Sequence, residues 1–300
     1  MKQLVVISGK GGTGKTTVVG SFAALAERPV LADCDVDAAD LHLLLSPDIR
    51  EESDFAGPLN PVIDGNQCTG CGLCVEKCAF GALAPADTAE GGCATRPAPR
   101  LDEIACEGCA LCSRVCPAEA IQMRRVIAGR WFVSDTRFGP LVHARLGVAQ
   151  ENSGKLVTLV RSKAAEIAEQ RGAPWLLVDG APGIGCPVIA SLAGASAVLI
   201  VTEPTLSGKS DMSRVARLAA HFQIPALVCV NKWDINEGIT EEIEAEAKAG
   251  GYRVVGRVPY DPAVPRSIVE GVPLVESDDG PAAQAIRALW HTVAAATAAL

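Results

Sequence analysis

The sequence predicts an α/β protein with a doubly wound, mostly parallel sheet, into which a small α+β domain is inserted. Three observations lead there. Short apolar runs alternate with longer helical stretches; the first run ends in a glycine-rich loop; and the alternation stops over residues 59–123, where cysteine, glycine, alanine and proline replace it. Buried strands separated by helices imply a parallel sheet covered on both faces.

Residues 4–7 are a continuous apolar run that breaks at Ser8-Gly9, and after the glycines a helical stretch covers 15–27, giving strand, loop, helix. Residues 30–32 supply the second strand. Further strands are expected at 175–178, 197–201, 226–230 and 254–258, with helices near 155–170, 209–221, 241–248 and 282–298. Asn152 or Ser153 is suited to cap the first of these helices. Within the insert, Ala82-Leu83 and residues 120–123 are short strand candidates. Residues 125–133 read as a hairpin turning at Ala128-Gly129 that returns the chain to the sheet. The expected domains are therefore 1–58 and 124–300, forming one phosphate-binding unit, and 59–123 inserted between them.

The chain has 300 residues, 49% of them hydrophobic, enough for a sizeable core. Its 35 acidic and 27 basic residues give a net charge of −8, with no basic stripe, so nucleic acid is not an expected partner. No apolar segment approaches the ~20 residues of a spanning helix, and the first residues lack a signal-peptide pattern. No stable membrane insertion and a cytoplasmic location are expected. The last helix lacks a basic face and is expected to pack on the sheet.

Gly9-Lys10-Gly11-Gly12-Thr13-Gly14-Lys15-Thr16-Thr17 fits G-x4-G-K-[ST] between a strand and a helix. Glycines let backbone N–H groups wrap phosphates, and the helix N-terminus adds partial positive charge. Lys15 would reach the β- and γ-phosphates, and Thr16 would offer its hydroxyl to Mg²⁺. Asp35, at a strand end beside the loop, is suited to orient an attacking water, with Asp33 and Asp37 as competitors; Asp179, ending another apolar strand, would hold Mg²⁺. Asn231, opening Asn231-Lys232-x-Asp234 after a strand, sits where a base would be read.

Two cysteine runs are repeated at an offset of 38 residues: Cys68, Cys71, Cys74, Cys78 and Cys106, Cys109, Cys112, Cys116. Each run offers three thiolates from one turn, while its fourth lies too far along and serves the other centre. The expected ligand sets are Cys68, Cys71, Cys74 and Cys116 for one [4Fe-4S] cluster, and Cys106, Cys109, Cys112 and Cys78 for the second. Zinc would leave the third and fourth cysteines of each run without a tetrahedral use. Ala79 stands where the second run has Pro117. Cys34, Cys186 and Cys229 default to small buried hydrophobes, and Cys93 to a loop thiol, with a spare ligand of the cysteine module as its alternative.

With Lys10 added, the loop resembles the deviant Walker A sequence of the MinD/ParA superfamily, which includes the nitrogenase iron protein. Asp33-Cys34-Asp35-Val36-Asp37 and Asp179-Gly180-Ala181-Pro182-Gly183 resemble its two switches. The combination is similar to MinD-type ATPases carrying an inserted bacterial-type ferredoxin domain. The resemblance implies a MinD-like P-loop fold, ATP hydrolysis with Mg²⁺, and an ATP-dependent homodimer in which Lys10 reaches the partner's phosphates. It also implies adenine reading by Asn231, although N-K-x-D in regulatory GTPases reads guanine. Cys186 follows Asp179 by seven residues, the offset at which the nitrogenase iron protein carries a cluster-ligating cysteine, so the resemblance also implies that two copies could face each other across a dimer, while that family's second ligand has no match here. The expected activity is an ATPase that gates two [4Fe-4S] clusters, with a redox or cluster-acceptor protein as partner. The alternatives are an accessory factor that delivers metal centres, and a positioning ATPase with a redox-sensing insert.

Overall fold

A computed structural model describes residues 1–86, 98–147 and 153–299, with side chains at all of these except Pro58 and Ser153. The expectations for Cys93 and for a cap at Asn152 lie outside the described residues, as does the side chain of Ser153.

In chain order, β1 (Lys2–Ile7), α1 (Lys15–Leu25), β2 (Val30–Asp33) and the short α2 (Leu41–Leu45) lead into a long strand, β3 (Asp48–Ile63). Next come α3 (Leu73–Glu76), β4 (Leu83–Ala84), β5 (Arg100–Leu101), α4 (Leu111–Val115) and a second long strand, β6 (Ile121–Asp135). The chain continues through β7 (Pro140–Leu146), α5 (Ser153–Gln170), β8 (Trp175–Asp179), α6 (Cys186–Leu192), β9 (Ala197–Thr202) and α7 (Leu206–His221). It ends with β10 (Ala226–Asn231), α8 (Glu237–Ala249), β11 (Arg253–Val258), α9 (Ala263–Glu270), α10 (Leu274–Ser277) and α11 (Pro281–Ala298). Two compact units result: Met1–Ser53 with Trp131–Arg145 and Asn152–Leu300, and Asp54–Arg130 with Leu146–Glu151. The chain passes from one unit to the other within β3 and within β6.

In the first unit the strand order is β11-β10-β9-β1-β8-β2-β7, followed by β6 and β3. The pairs from β11 to β7 are parallel. Strands β1, β2, β8, β9 and β10 are apolar on both faces, which is what a sheet covered on both sides demands. β8 lies between β1 and β2, with Val6 opposite Asp179 and Asp33 opposite Asp179. The carboxyl ends of three strands thus converge beside the loop that follows β1, where open α/β sheets carry their sites. Phe22 of α1 and Trp175 of β8 both pack on Trp290 of α11, with ring centroids 5.0 and 5.1 Å apart. The apolar face of α11 is therefore used up against the core.

The structure corrects the expected hairpin at Ala128-Gly129. Residues 121–135 form one continuous strand, Gly129 is not among the residues with positive φ, and the reversal comes after it at residues 136–139, where Thr136 N–H and its hydroxyl both bond Gly139 O (3.0 and 2.7 Å). A connection this short joins antiparallel neighbours. β3 and β7 were not foreseen.

The second unit, by itself, has little apolar core. Among the described residues Cys74, Leu83 and Ile121 are buried together, with Ile63, Val75, Leu101, Cys78, Cys112 and Cys116 packed around them. Its small sheet pairs β4 and β5 antiparallel, Leu83 opposite Leu101.

Candidate functional site

The loop after β1 closes on itself through Ser8 Oγ, which donates to Lys10 O at 2.8 Å. Gly12 and Gly14 take positive φ, 78° and 92°, a conformation costly for other residues. Gly14 opens α1 with no side-chain cap and no acidic residue in the first turn. The first N–H groups of the helix are thereby left for an anion. They face a cavity of about 520 Å³, lined by residues 11–17, Asp35, Asn231 and Lys232, with Tyr260 and Ile268 on its apolar wall. That volume suits a small-molecule ligand.

Lys15 is 5% exposed, with Nζ 2.5 Å from Asp179 Oδ1 and 3.5 Å from Asp35 Oδ2. Burial alone would lower its pKa; Asp179 and Asp35 outweigh that and raise it, so the ammonium stays charged. Thr16 Oγ1 donates to Asp179 Oδ2 at 2.7 Å, which puts the hydroxyl and carboxylate expected to hold Mg²⁺ side by side. Asp33 is fully buried and its oxygens accept the backbone N–H of Asp35 (3.1 Å) and Leu41 (3.2 Å). Its carboxylate fixes the turn after β2. Burial, and then Asp179, push its pKa well up. Asp37 is exposed and lies off the cavity wall, whereas Asp35 is on it. Burial also raises the Asp35 pKa, against the pull of Lys15.

Asn231 Nδ2 donates to Thr13 O at 2.7 Å and so ties the end of β10 to the phosphate loop. Asp234 is not on the cavity wall; its Oδ1 accepts Tyr260 N–H at 2.7 Å. Lys10 pairs with Glu203 at 2.5 Å, and Lys232 with Glu203 at 3.4 Å and Gly12 O at 3.1 Å. Glu203 has no motif around it, and nothing in the sequence singles it out.

In the second unit the two cysteine loops share one backbone pattern. φ is positive at Gly70 and Gly72 between Cys68 and Cys74, and at Gly108 and Ala110 between Cys106 and Cys112. Cys78 of the first run joins Cys106, Cys109 and Cys112 of the second on the wall of one recess. Burial raises the pKa of the Cys74 thiol, with Cys116 and Cys68 adding to it; burial does the same at Cys112, with Cys106 and Cys109 nearby. Cys116 Sγ accepts Ala120 N–H at 3.4 Å. Among the described residues no three cysteines, histidines or carboxylates gather closely enough to share a single metal ion.

Burial pushes the thiols of Cys34 and Cys229 up to about 12, as suits small buried hydrophobes. Cys186 differs: it is exposed, at the first residue of α6. Among the described residues no helix is long and apolar enough to cross a membrane.

Comparison with known proteins gives a concordant result. The family described as "CobQ/CobB/MinD/ParA nucleotide binding domain" matches residues 4–274. An uncharacterized protein of Methanocaldococcus jannaschii, MJ0578, is 29% identical over 280 residues, 92% of this chain and 91% of that one. The septum site-determining protein MinD of Pyrococcus horikoshii, solved with Mg-ADP, superposes with a TM-score of 0.57 at 17% identity, covering 100% of this chain and 99% of its own. A ParA family ATPase of Chlorobium tepidum gives 0.56 at 17%, covering 97% and 98%. At these identities the two structures show a common fold.

Proposed function

The chain belongs to the CobQ/CobB/MinD/ParA nucleotide-binding family, and from that premise we propose that it is an Mg²⁺-dependent ATPase whose nucleotide state, in a homodimer, governs two [4Fe-4S] clusters in residues 59–123. The observation that carries the cluster half is the meeting of Cys78 with Cys106, Cys109 and Cys112 on one recess. A fourth ligand drawn from the other run is what paired cubane sites require. The cysteines fit the group for a second reason: the two loops wrap with the same left-handed turns. A cubane bonds each thiolate to a different iron, so it does not need the close gathering of a single-ion site. Cys68, Cys71, Cys74 and Cys116 would hold the first cluster and Cys106, Cys109, Cys112 and Cys78 the second; bound there, the clusters supply one-electron chemistry.

Adenine is favoured because Asp234, the residue that would read guanine, is engaged by the Tyr260 backbone, whereas Asn231 lines the cavity. The Mg-ADP of the Pyrococcus MinD supports the same choice. Lys15 and the bare N-terminus of α1 bind the phosphates; Thr16 and Asp179 would hold Mg²⁺, which neutralises charge on the transferring group. Asp35, on the cavity wall with a raised pKa, orients the attacking water. The proposed partner is a redox or cluster acceptor, and the proposed location the cytoplasm.

Anaerobic redox titration with and without ATP tests the coupling. A potential that moves with ATP, followed by reduction of an added partner, supports electron transfer. Loss of clusters to an apo-acceptor supports delivery. A metal-free chain that hydrolyses ATP and dimerises normally would leave only a positioning ATPase of the MinD/ParA kind.

A further inference from the structure

Lys10 is the one residue of the stretch 10–17 that does not line the phosphate cavity. Its ammonium instead meets Glu203, the residue just past β9, at 2.5 Å. The same carboxylate lies 3.4 Å from Lys232 Nζ, whose other contact is Gly12 O at 3.1 Å. Lys232 does line the cavity. Glu203 is 15% exposed and Lys10 39% exposed, so water screens the cluster only in part. Burial would raise the Glu203 pKa, but the two lysines outweigh it and hold the carboxyl below its ordinary value, charged at neutral pH. One carboxylate thus neutralises half of the cationic charge at the cavity rim. A nucleotide triphosphate, carrying several negative charges, competes for the same two ammonium groups.

We propose that Glu203 is a counter-ion latch, a positioning residue that parks Lys10 off the phosphate cavity and draws Lys232 against the loop, so that incoming phosphates gain these cations only by displacing a carboxylate. The proposal deepens the nucleotide reading and rests on it. Glu203 thereby weakens polyphosphate binding in the resting chain and sets how far Lys10 is free to engage any phosphate.

Two measurements on the full chain test it. First, equilibrium binding of ATP and of tripolyphosphate is compared for wild type, Glu203→Gln, Lys10→Gln with Lys232→Gln, and all three changes together. The latch predicts that Glu203→Gln tightens binding about three- to tenfold, the scale of one or two partly exposed ion pairs. It also predicts a steeper salt dependence, and loss of the gain when both lysines are removed. Second, the rate at which an amine-acylating reagent modifies Lys10 is read by mass spectrometry without nucleotide, with exposed Lys248 as the internal reference. Lys10 should react faster in Glu203→Gln. Unchanged or weaker binding with an unchanged thermal midpoint, a gain that survives removal of both lysines, or an unchanged Lys10 rate would overturn the latch. Should Glu203→Gln fail to fold, Glu203→Asp, with its shorter reach, must show a smaller rise in the same direction. If wild type binds neither ATP nor tripolyphosphate, the nucleotide reading falls, while the Lys10 rate still decides whether Glu203 restrains that lysine.

Discussion

Lys15 is held between Asp179 and Asp35 with its charge intact. Replacing it by Ala removes the charged donor and should weaken ATP binding about 10- to 100-fold, from a charged hydrogen bond of about 1.5–3 kcal/mol; calorimetry measures it. Asp35→Asn should instead leave binding within a few-fold and slow hydrolysis about 100-fold. His143 sets a pH dependence. Burial, then His42 and Arg145, lower its pKa to about 4, so between about 4 and the ordinary 6.5 the unfolded chain binds the extra proton and stability rises with pH. The contribution of His143 is complete above about 6.5 and should fall by about 2 kcal/mol on going from pH 7 to pH 5, opposite in sign to those of Asp33 and Asp35, whose raised pKa values favour the folded state at lower pH. Urea unfolding at the two pH values should isolate it: the change between pH 7 and pH 5 in wild type should be more unfavourable than that in His143→Phe, which also releases Ser134 from its bond to the ring, by about this amount. The glycine-rich loop between β1 and α1 could be read from the sequence because its glycines break a continuous apolar run just before a helical stretch. Glu203 could not, since its partners Lys10 and Lys232 come from distant strand ends that only the folded sheet brings together. Nor did the sequence separate Asp33 from Asp35; the backbone N–H groups that engage Asp33 exist only once β2 and α2 are in place.

At the level of elements, the apolar strands β1, β2, β8, β9, β10 and β11 and the long helices between them were legible, because burial on both faces writes itself as a continuous hydrophobic run, whereas the short helices α6, α9 and α10 were not expected. β3 escaped for a physical reason. It is the edge strand, and residues 48–54 hold five charged side chains, with Gly57, Pro58 and Pro61 beyond. Edge strands tolerate charge and proline because one row of their backbone groups is unpaired. The false hairpin at Ala128-Gly129 came from reading glycine as a turn where the strand continues. The cysteine loops make a prediction of their own. Ala110 takes the left-handed conformation that Gly72 has in the equivalent place, φ 61° against 77°. Ala110→Gly should therefore stabilise the second unit by about 1 kcal/mol, seen as a higher thermal midpoint under anaerobic conditions, whereas Gly72→Ala should lower it by a similar amount.

For the whole molecule, the contrast is between a first unit with a continuous apolar core and a second whose buried hydrophobic cluster, among the described residues, is Cys74, Leu83 and Ile121. A core that small does not hold a fold without a metal or cross-link. Stripping metal with a chelator under anaerobic conditions should expose residues 54–130 to limited proteolysis while the first unit survives as a nucleotide-binding core; mass spectrometry of the fragments checks this. The account stands or falls on whether those cysteines hold clusters, and iron and acid-labile sulfide per chain in anaerobically purified full-length protein measure that directly. Two [4Fe-4S] clusters predict about eight irons with an equal amount of sulfide. Fewer than about four irons, or iron without sulfide, would contradict it.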